Sequence, residues 1–185
     1  MAVAQPVSTD YLNSPDHSAL HRIIAADTSA PTESISVDSN GIVSETKQSR
    51  VRVGLSANQS VPNITATKIQ LNSETYDNLG EFDSTTNYRF TATTAGYYQV
   101  NAMVALTITV DGSMLYAYIY KNGAAVAVGV SQMSKNSDLI SSLVSDVVYL
   151  IAADYLELYA YHSCGAAANI FGEVPYTFMS VHKLS

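Results

Sequence analysis

Residues 88–110 read YRFTATTAGYYQVNAMVALTITV, and the fold is decided here. Past Gly96 the stretch alternates with a period of two. Tyr98, Val100, Ala102, Val104, Leu106, Ile108 and Val110 fall on one side. Tyr97, Gln99, Asn101, Met103, Ala105, Thr107 and Thr109 fall on the other. A β-strand turns successive side chains to opposite faces, so one face is wholly apolar and the other mixed. Such a strand needs partners on both edges and a second sheet over its apolar side.

The same pattern continues downstream. Asp111-Gly112 turns the chain, and Leu115, Ala117 and Ile119 then alternate with Met114, Tyr116, Tyr118 and Tyr120. Asn122-Gly123 is a tight hairpin signal, followed by Val126, Val128 and Val130. Residues 139–151 form a strand long enough to hold a bulge, with Leu143, Val147, Tyr149 and Ile151 on one side. Ala153-Asp154 turns it into residues 155–162. There Leu156, Leu158 and Ala160 alternate with Tyr155, Glu157, Tyr159 and Tyr161. Residues 163–168 read as a loop of small residues and residues 176–184 as the last strand. Upstream, Val51, Val53 and Leu55 open the first strand, residues 58–61 a turn, residues 64–71 a second strand, and residues 72–87 a long polar connection. Nine or ten strands at regular spacing, with no long helix, predict an all-β fold: an antiparallel jelly-roll sandwich of about ten strands.

Composition agrees. The chain has 185 residues, 47% hydrophobic and 14% charged, with 13 Tyr, 4 Phe and no Trp. Tyrosine and β-branched residues suit a pleated, half-buried surface. The net charge of −7, without a basic run, argues against a nucleic-acid partner. A single cysteine, Cys164, excludes an intrachain disulfide and a metal site built on thiols. MAVAQPVSTDYLNS has neither a charged n-region nor an apolar h-region, so no secretory signal is expected. No apolar run approaches the ~20 residues of a membrane span. The expectation is a soluble protein made in the cytoplasm, with no membrane insertion and no cofactor.

Residues 1–50 differ. Ser14-Pro15-Asp16 is a helix start, and Ala19, Leu20, Ile23 and Ile24 would follow it on a short helix. Ile35 and Val37 precede Asp38-Ser39-Asn40-Gly41, a hairpin turn, and Ile42-Val43 follow it. So little apolar surface cannot bury a core, so residues 1–50 are read as an attachment arm and residues 51–185 as the knob it carries.

Several short motifs stand in order along the knob: Tyr76-Asp77, Gly80-Glu81-Phe82, Phe90-Thr91-Ala92, Gly96-Tyr97-Tyr98, Tyr120-Lys121-Asn122-Gly123, LIAADYLEL at residues 150–158, and the terminal YTFMSVHKLS. Their order and spacing over residues 51–185 resemble the C1q/TNF-type jelly roll, with Ala153 where that family usually has Gly. Collagen stalk and signal peptide are missing, so the chain looks more like the stalkless C1q-like knobs of bacterial and phage proteins. Residues 11–44 resemble leaders that precede knob modules in phage structural proteins. The resemblance implies a homotrimer that binds other proteins or glycans and does no chemistry.

Candidate sites are few. His17 and His21 stand four apart on the expected helix, with no third ligand. His162 and His182 lie on strands. Cys164 in SCGAA has no base beside it in sequence, so a buried thiol is favoured over a nucleophile. Asp77, Glu81 and Asp83 share one loop and could bind Ca²⁺, but that ion needs 6–8 convergent oxygens and solvated charges are favoured. Tyr116, Tyr118 and Tyr120 share a strand face and suit a trimer interface, a glycan platform or simple cover for the sheet. With Met103, Tyr155, Tyr159 and Tyr161 they are the candidate trimer interface. No catalytic constellation is visible.

These readings converge on a non-enzymatic virion surface protein, a homotrimeric capsid decoration or head-fibre knob. The arm, through Leu20, Ile23, Ile24, Ile35 and Val37, would hold it to a capsid or tail protein, and the knob would meet a host-surface glycan or protein. A tail-fibre tip, a bacterial C1q-like adhesion module and, last, a glycan hydrolase are the alternatives.

Overall fold

The computed structural model describes residues 35–37, 40–45, 47–108, 110–129 and 138–184. The chain divides into two compact units, Met1–Gln48 and Ser49–Ser185. In the first, β1 (Ile35–Val37) and β2 (Val43–Glu45) pair as an antiparallel hairpin. Gly41 in the turn takes the left-handed conformation that its lack of a Cβ permits. Ile35 and Val37 fall on β1. The expected helix bearing His17, Leu20, His21, Ile23 and Ile24 lies outside the described residues.

The second unit is built of β3 (Arg50–Gly54), β4 (Gln59–Val61), β5 (Thr67–Lys68), β6 (Ser73–Asp77), β7 (Phe82–Asp83), β8 (Arg89–Thr91), β9 (Gly96–Ile108), β10 (Leu115–Lys121), β11 (Ala124–Val128), β12 (Asp138–Leu150), β13 (Tyr155–His162), β14 (Ala168–Ile170) and β15 (Phe178–Lys183). One sheet runs β12-β9-β15-β3-β6. The other runs β11-β10-β13-β8-β7, with β5 also paired to β13. Every pairing is antiparallel. The sheets will be called the β9 sheet and the β13 sheet. A small β4–β14 pair accompanies them.

Alternation explains the core. Tyr98, Val100, Ala102, Val104 and Leu106 of β9 are fully buried, facing Leu115, Ala117 and Ile119 of β10 and Leu156, Leu158 and Ala160 of β13. Tyr98 is the one polar-tipped side chain on that face of β9, and its hydroxyl donates to the Thr94 carbonyl at 2.8 Å. Its ring tilts against Phe90 at 5.6 Å.

The structure departs from the sequence reading in several places. β9 ends at Ile108, and Val110 is exposed in the following turn rather than in the core. β12 pairs with β9 without a register shift; the irregularities lie between β10 and β11 and between β3 and β6. Residues 64–71 are not one strand, since only Thr67–Lys68 pairs. Ile64 sits at φ 56, a left-handed conformation strained for a β-branched residue. Its N–H donates to the His162 carbonyl at 2.8 Å, which helps to hold it there. The polar connection at residues 72–87 contains β6 and β7, and the turn at residues 58–61 is β4.

One turn and one close backbone approach can be tested by substitution. Ala153 adopts φ 74, the conformation Gly would take freely, and its N–H donates to the Ala92 carbonyl at 2.8 Å. Beside it Asp154 accepts from Asn122 Nδ2 at 2.7 Å and the Ile151 amide at 3.0 Å, and pairs with Lys121 at 2.9 Å. The Tyr155 amide in turn donates to Asn122 Oδ1 at 2.9 Å. The β10–β11 hairpin is thereby tied to the β12–β13 turn. Gly172 stands where a Cβ would lie 1.8 Å from the Ala57 carbonyl carbon.

Ala153→Gly should therefore stabilise the chain by about 0.5–1 kcal/mol, the relief of left-handed strain exceeding the added chain entropy. Gly172→Ala should destabilise it by about 3 kcal/mol or more, because the obstacle is backbone. Thermal and denaturant melts read both signs.

The Asp154 carboxyl is held down from 3.8 to about 2, first by the Ile151 amide, then by Lys121 and Asn122. A depressed carboxyl contributes stability above its unfolded value, and that stability is lost as pH falls through the folded one. Melting temperature should thus fall between pH 4 and 2, and less so in Asp154→Asn. The variant should already be the less stable protein at pH 7.

Candidate functional site

Each sheet covers the core with one face and turns the other outward. On the β9 sheet, β12 presents Leu139, Leu143, Val147 and Tyr149 outward, and Ile151 follows in the turn. With Tyr97 of β9, these side chains are between 46% and 57% exposed. The register sets Leu143 opposite Met103 and Tyr149 opposite Tyr97, and those two rings meet edge to face at 5.1 Å. Met103 itself is half-buried, with Phe178 of β15 at its other side. A polar row crosses this aliphatic face. Gln99 Nε2 donates to Ser145 Oγ at 3.0 Å, and Ser145 Oγ donates to Asn101 Oδ1 at 2.8 Å.

The edge of the other sheet also carries exposed aliphatic side chains, with Val128 set opposite Tyr118 on the outward face of the β13 sheet. β11 and β12 are the neighbouring edge strands of the two sheets, and Val126 and Val128 of β11 are exposed there. Ser142, buried on the inner side of β12, accepts the Ala117 amide of β10 at 2.9 Å and joins the sheets at this edge.

The outer face of the β13 sheet has a different chemistry. Tyr116, Tyr118 and Tyr120 of β10 lie beside Tyr155, Tyr159 and Tyr161 of β13, all half-buried. Tyr120 and Tyr159 stack at 4.0 Å and 20°. The seven side chains read as one trimer interface are therefore divided between outward faces of opposite sheets: Met103 on the β9 sheet and the six tyrosines on the β13 sheet. Sequence reasoning grouped Leu143, Val147, Tyr149 and Ile151 without assigning them to solvent. The signal was present, because the opposite side of β12 carries Ile140, Val144, Val148 and Leu150 and is equally apolar. With that side of β12 on the core, the side bearing Leu143 is left facing outward.

The loop carboxylates each have a local task. Asp77 accepts the amides of Leu79, Gly80 and Phe82, and Asp83 those of Thr85, Thr86 and Asn87. The Thr86 amide, followed by that of Thr85, holds the Asp83 carboxyl far below its ordinary range. Glu81 is buried, accepting from the Ser49 hydroxyl and from the amide and hydroxyl of Thr93. Among the described residues no three His, Cys, Asp or Glu side chains group so as to hold a metal ion.

His162 and Cys164 come together, but not as a catalytic pair. The buried His162 ring accepts the Cys164 amide at Nδ1, 3.3 Å, so its proton is on Nε2, which donates to the Val61 carbonyl at 2.9 Å. Both nitrogens are engaged by backbone, which leaves no lone pair for a base. Burial pushes the Cys164 thiol up, away from the reactive thiolate. His182 is exposed on β15.

No protein-family model and no curated protein sequence matches the chain. Solved structures do. Murine APRIL superposes with a TM-score of 0.58 at 14% identity, over 75% of this chain and 100% of its own. The globular domain of zebrafish complement 1qA gives 0.54 at 11%, over 75% and 98%. Eiger TNF from S. frugiperda gives 0.53 at 11%, over 75% and 93%. The chain thus has the C1q/TNF-like antiparallel jelly-roll fold.

Proposed function

We propose that this chain is a non-enzymatic recognition knob, a homotrimer closed through the outer face of the β9 sheet and carried on a virion. The observation that carries the trimer is the aliphatic stripe of β12. Exposed patches on soluble monomers rarely exceed a few hundred Å², and covering about 500 Å² at ~25 cal/mol per Å² is worth roughly 12 kcal/mol per protomer. That matches the scale of the entropy lost on association. The polar row lowers the cost of burial, since Gln99 Nε2, the Ser145 hydroxyl and Asn101 Oδ1 already bond one another.

A contact repeated around a closed ring would cover this stripe on every protomer without leaving an open end. The C1q/TNF resemblance supplies the number three. This reading moves the interface from the tyrosines to Leu139, Leu143, Val147, Tyr149 and Tyr97, and keeps Met103 at its border.

The virion assignment has separate support. Residues 11–44 resemble leaders of phage knob modules, and the chain divides at Gln48 into two units, which suits an arm that attaches and a knob that projects. Residues 1–50 are assigned as the arm, synthesis as occurring in the host cytoplasm, and capsid decoration is favoured over a tail-fibre tip. The engaged carboxylates and the locked His162 support the absence of catalysis.

Light scattering of the full chain should give three times its 19.8 kDa mass. Leu143→Asp and Val147→Asp should reduce this to one chain with the far-UV spectrum retained. A wild-type monomer at micromolar concentration overturns the trimer. Deletion of residues 1–50 should abolish recovery of the chain with purified particles. Continued decoration without the arm overturns that assignment.

A further inference from the structure

Closure through the β9 sheet leaves the tyrosine face of the β13 sheet outward. The register across that face sets Tyr116 opposite Tyr161, Tyr118 opposite Tyr159 and Tyr120 opposite Glu157. Along β10 the ring centroids step by 6.1 Å from Tyr116 to Tyr118 and by 6.3 Å from Tyr118 to Tyr120. The result is a row of rings rather than a single aromatic.

Glu157 is the one acid in this field of tyrosines. Its side chain is 7% exposed, and one carboxylate oxygen pairs with Lys68 Nζ at 3.0 Å. Lys68 also donates to the Asn87 carbonyl at 3.0 Å. No described residue donates to the second carboxylate oxygen, and none bonds the hydroxyls of Tyr118, Tyr120, Tyr159 or Tyr161. Of the cluster only the Tyr116 hydroxyl has such a partner, the Met114 sulfur at 2.9 Å. Burial raises the Tyr118 and Tyr159 phenols, with Glu157 adding to the latter, so both stay protonated donors at neutral pH.

The chemistry selects an occupant. The Arg89 guanidinium stacks on Tyr155 at 4.3 Å, at the border of the face, while beside Tyr118, Tyr120 and Tyr159 the Glu157–Lys68 pair is neutral as a unit, which favours an uncharged ligand there. A second copy of the chain would have to dehydrate a row of phenol hydroxyls, whereas the β12 stripe offers it aliphatic surface. An oligosaccharide fits both halves of the surface. Its C–H faces pack on aromatic rings, and its hydroxyls need nearby acceptors and donors held in fixed positions.

We propose that this face binds a neutral oligosaccharide, with pyranose rings packed on Tyr118, Tyr120 and Tyr159 and sugar hydroxyls bonded to Glu157 and Lys68. This rests on the reading of the chain as a recognition knob, and not on its being a trimer. Without tryptophan, intrinsic emission reports on the tyrosines directly.

The full chain should be screened against an array of neutral and acidic glycans, with hits titrated by tyrosine fluorescence and mass read on the same sample. Saturable binding to one class of neutral glycan is expected. Tyr118→Ala and Glu157→Gln should each weaken it tenfold or more while the far-UV spectrum and the mass stay unchanged. Leu143→Asp should leave binding per chain intact, which separates failure of the trimer from failure of the glycan site. If Tyr118→Ala does not fold, Glu157→Gln and Lys68→Met decide alone. Absence of neutral-glycan binding, binding confined to acidic glycans, or indifference to the folded variants overturns the proposal. So does a change of mass in Tyr118→Asp, which would make this face a contact between chains.

Discussion

A strand that is apolar on one side must be covered there, and β9 sets this constraint for the whole knob. Thirteen of its residues pair with β12, and the other edge is taken by β15. Tyr98, Val100, Ala102, Val104 and Leu106 then form a dry floor on which β10 and β13 lie. The order of the β9 sheet follows from this. β15 inserts between β9 and β3, so the first and last strands of the second unit meet beside β9. The Lys183 amide donates to the Ser49 carbonyl at 3.1 Å and fastens them.

Burying one face fixes the turns as well. The β12–β13 turn must reverse the chain between opposite sheets within a few residues. Ala153 accepts a left-handed backbone there, and Asp154 gathers Ile151, Lys121 and Asn122 around one carboxylate. Asp77 and Asp83 do the same for the β6–β7 and β7–β8 connections, by accepting amides that the short strands leave unpaired. Asp77, Asp83 and Asp154 thus work as turn anchors. That is a structural use of charges which the sequence alone also allows to be read as ligands.

Period-two alternation made the long strands legible: β9, β10 and β13 stand where Val100, Ile119 and Leu158 alternate with polar neighbours. Asn122-Gly123 marked the β10–β11 hairpin for a stated reason, since both residues take left-handed φ. Short elements were not legible. β6 reads SETYD and β14 reads ANI, and neither carries a periodic signal, because each is held by its neighbours rather than by its own apolar face. Ile64 and Leu71 looked like the ends of one strand, yet only the pair at Thr67–Lys68 forms. Residues 58–61 looked like a turn because three residues of β4 become a strand only when β14 arrives from more than a hundred positions away. For the site, alternation showed that several strands have two usable faces. It could not say which of the two is left in water, since that depends on which sheet covers which.

The two outward faces differ in kind, and the difference bears on how the knob works. Leu139, Leu143 and Val147 are aliphatic, carry no donor or acceptor, and gain only by leaving water, so a surface like their own serves them best. The tyrosines carry a hydroxyl on every ring, surround one carboxylate with an unfilled oxygen, and lose hydrogen bonds if covered by aliphatic groups. On the proposed reading, the first surface would serve closure and the second a ligand that brings its own hydroxyls. Because the two lie on opposite sheets with the core between them, covering the first would not occlude the second. A substitution on one face leaves the chemistry of the other in place, so the two proposals can be tested apart.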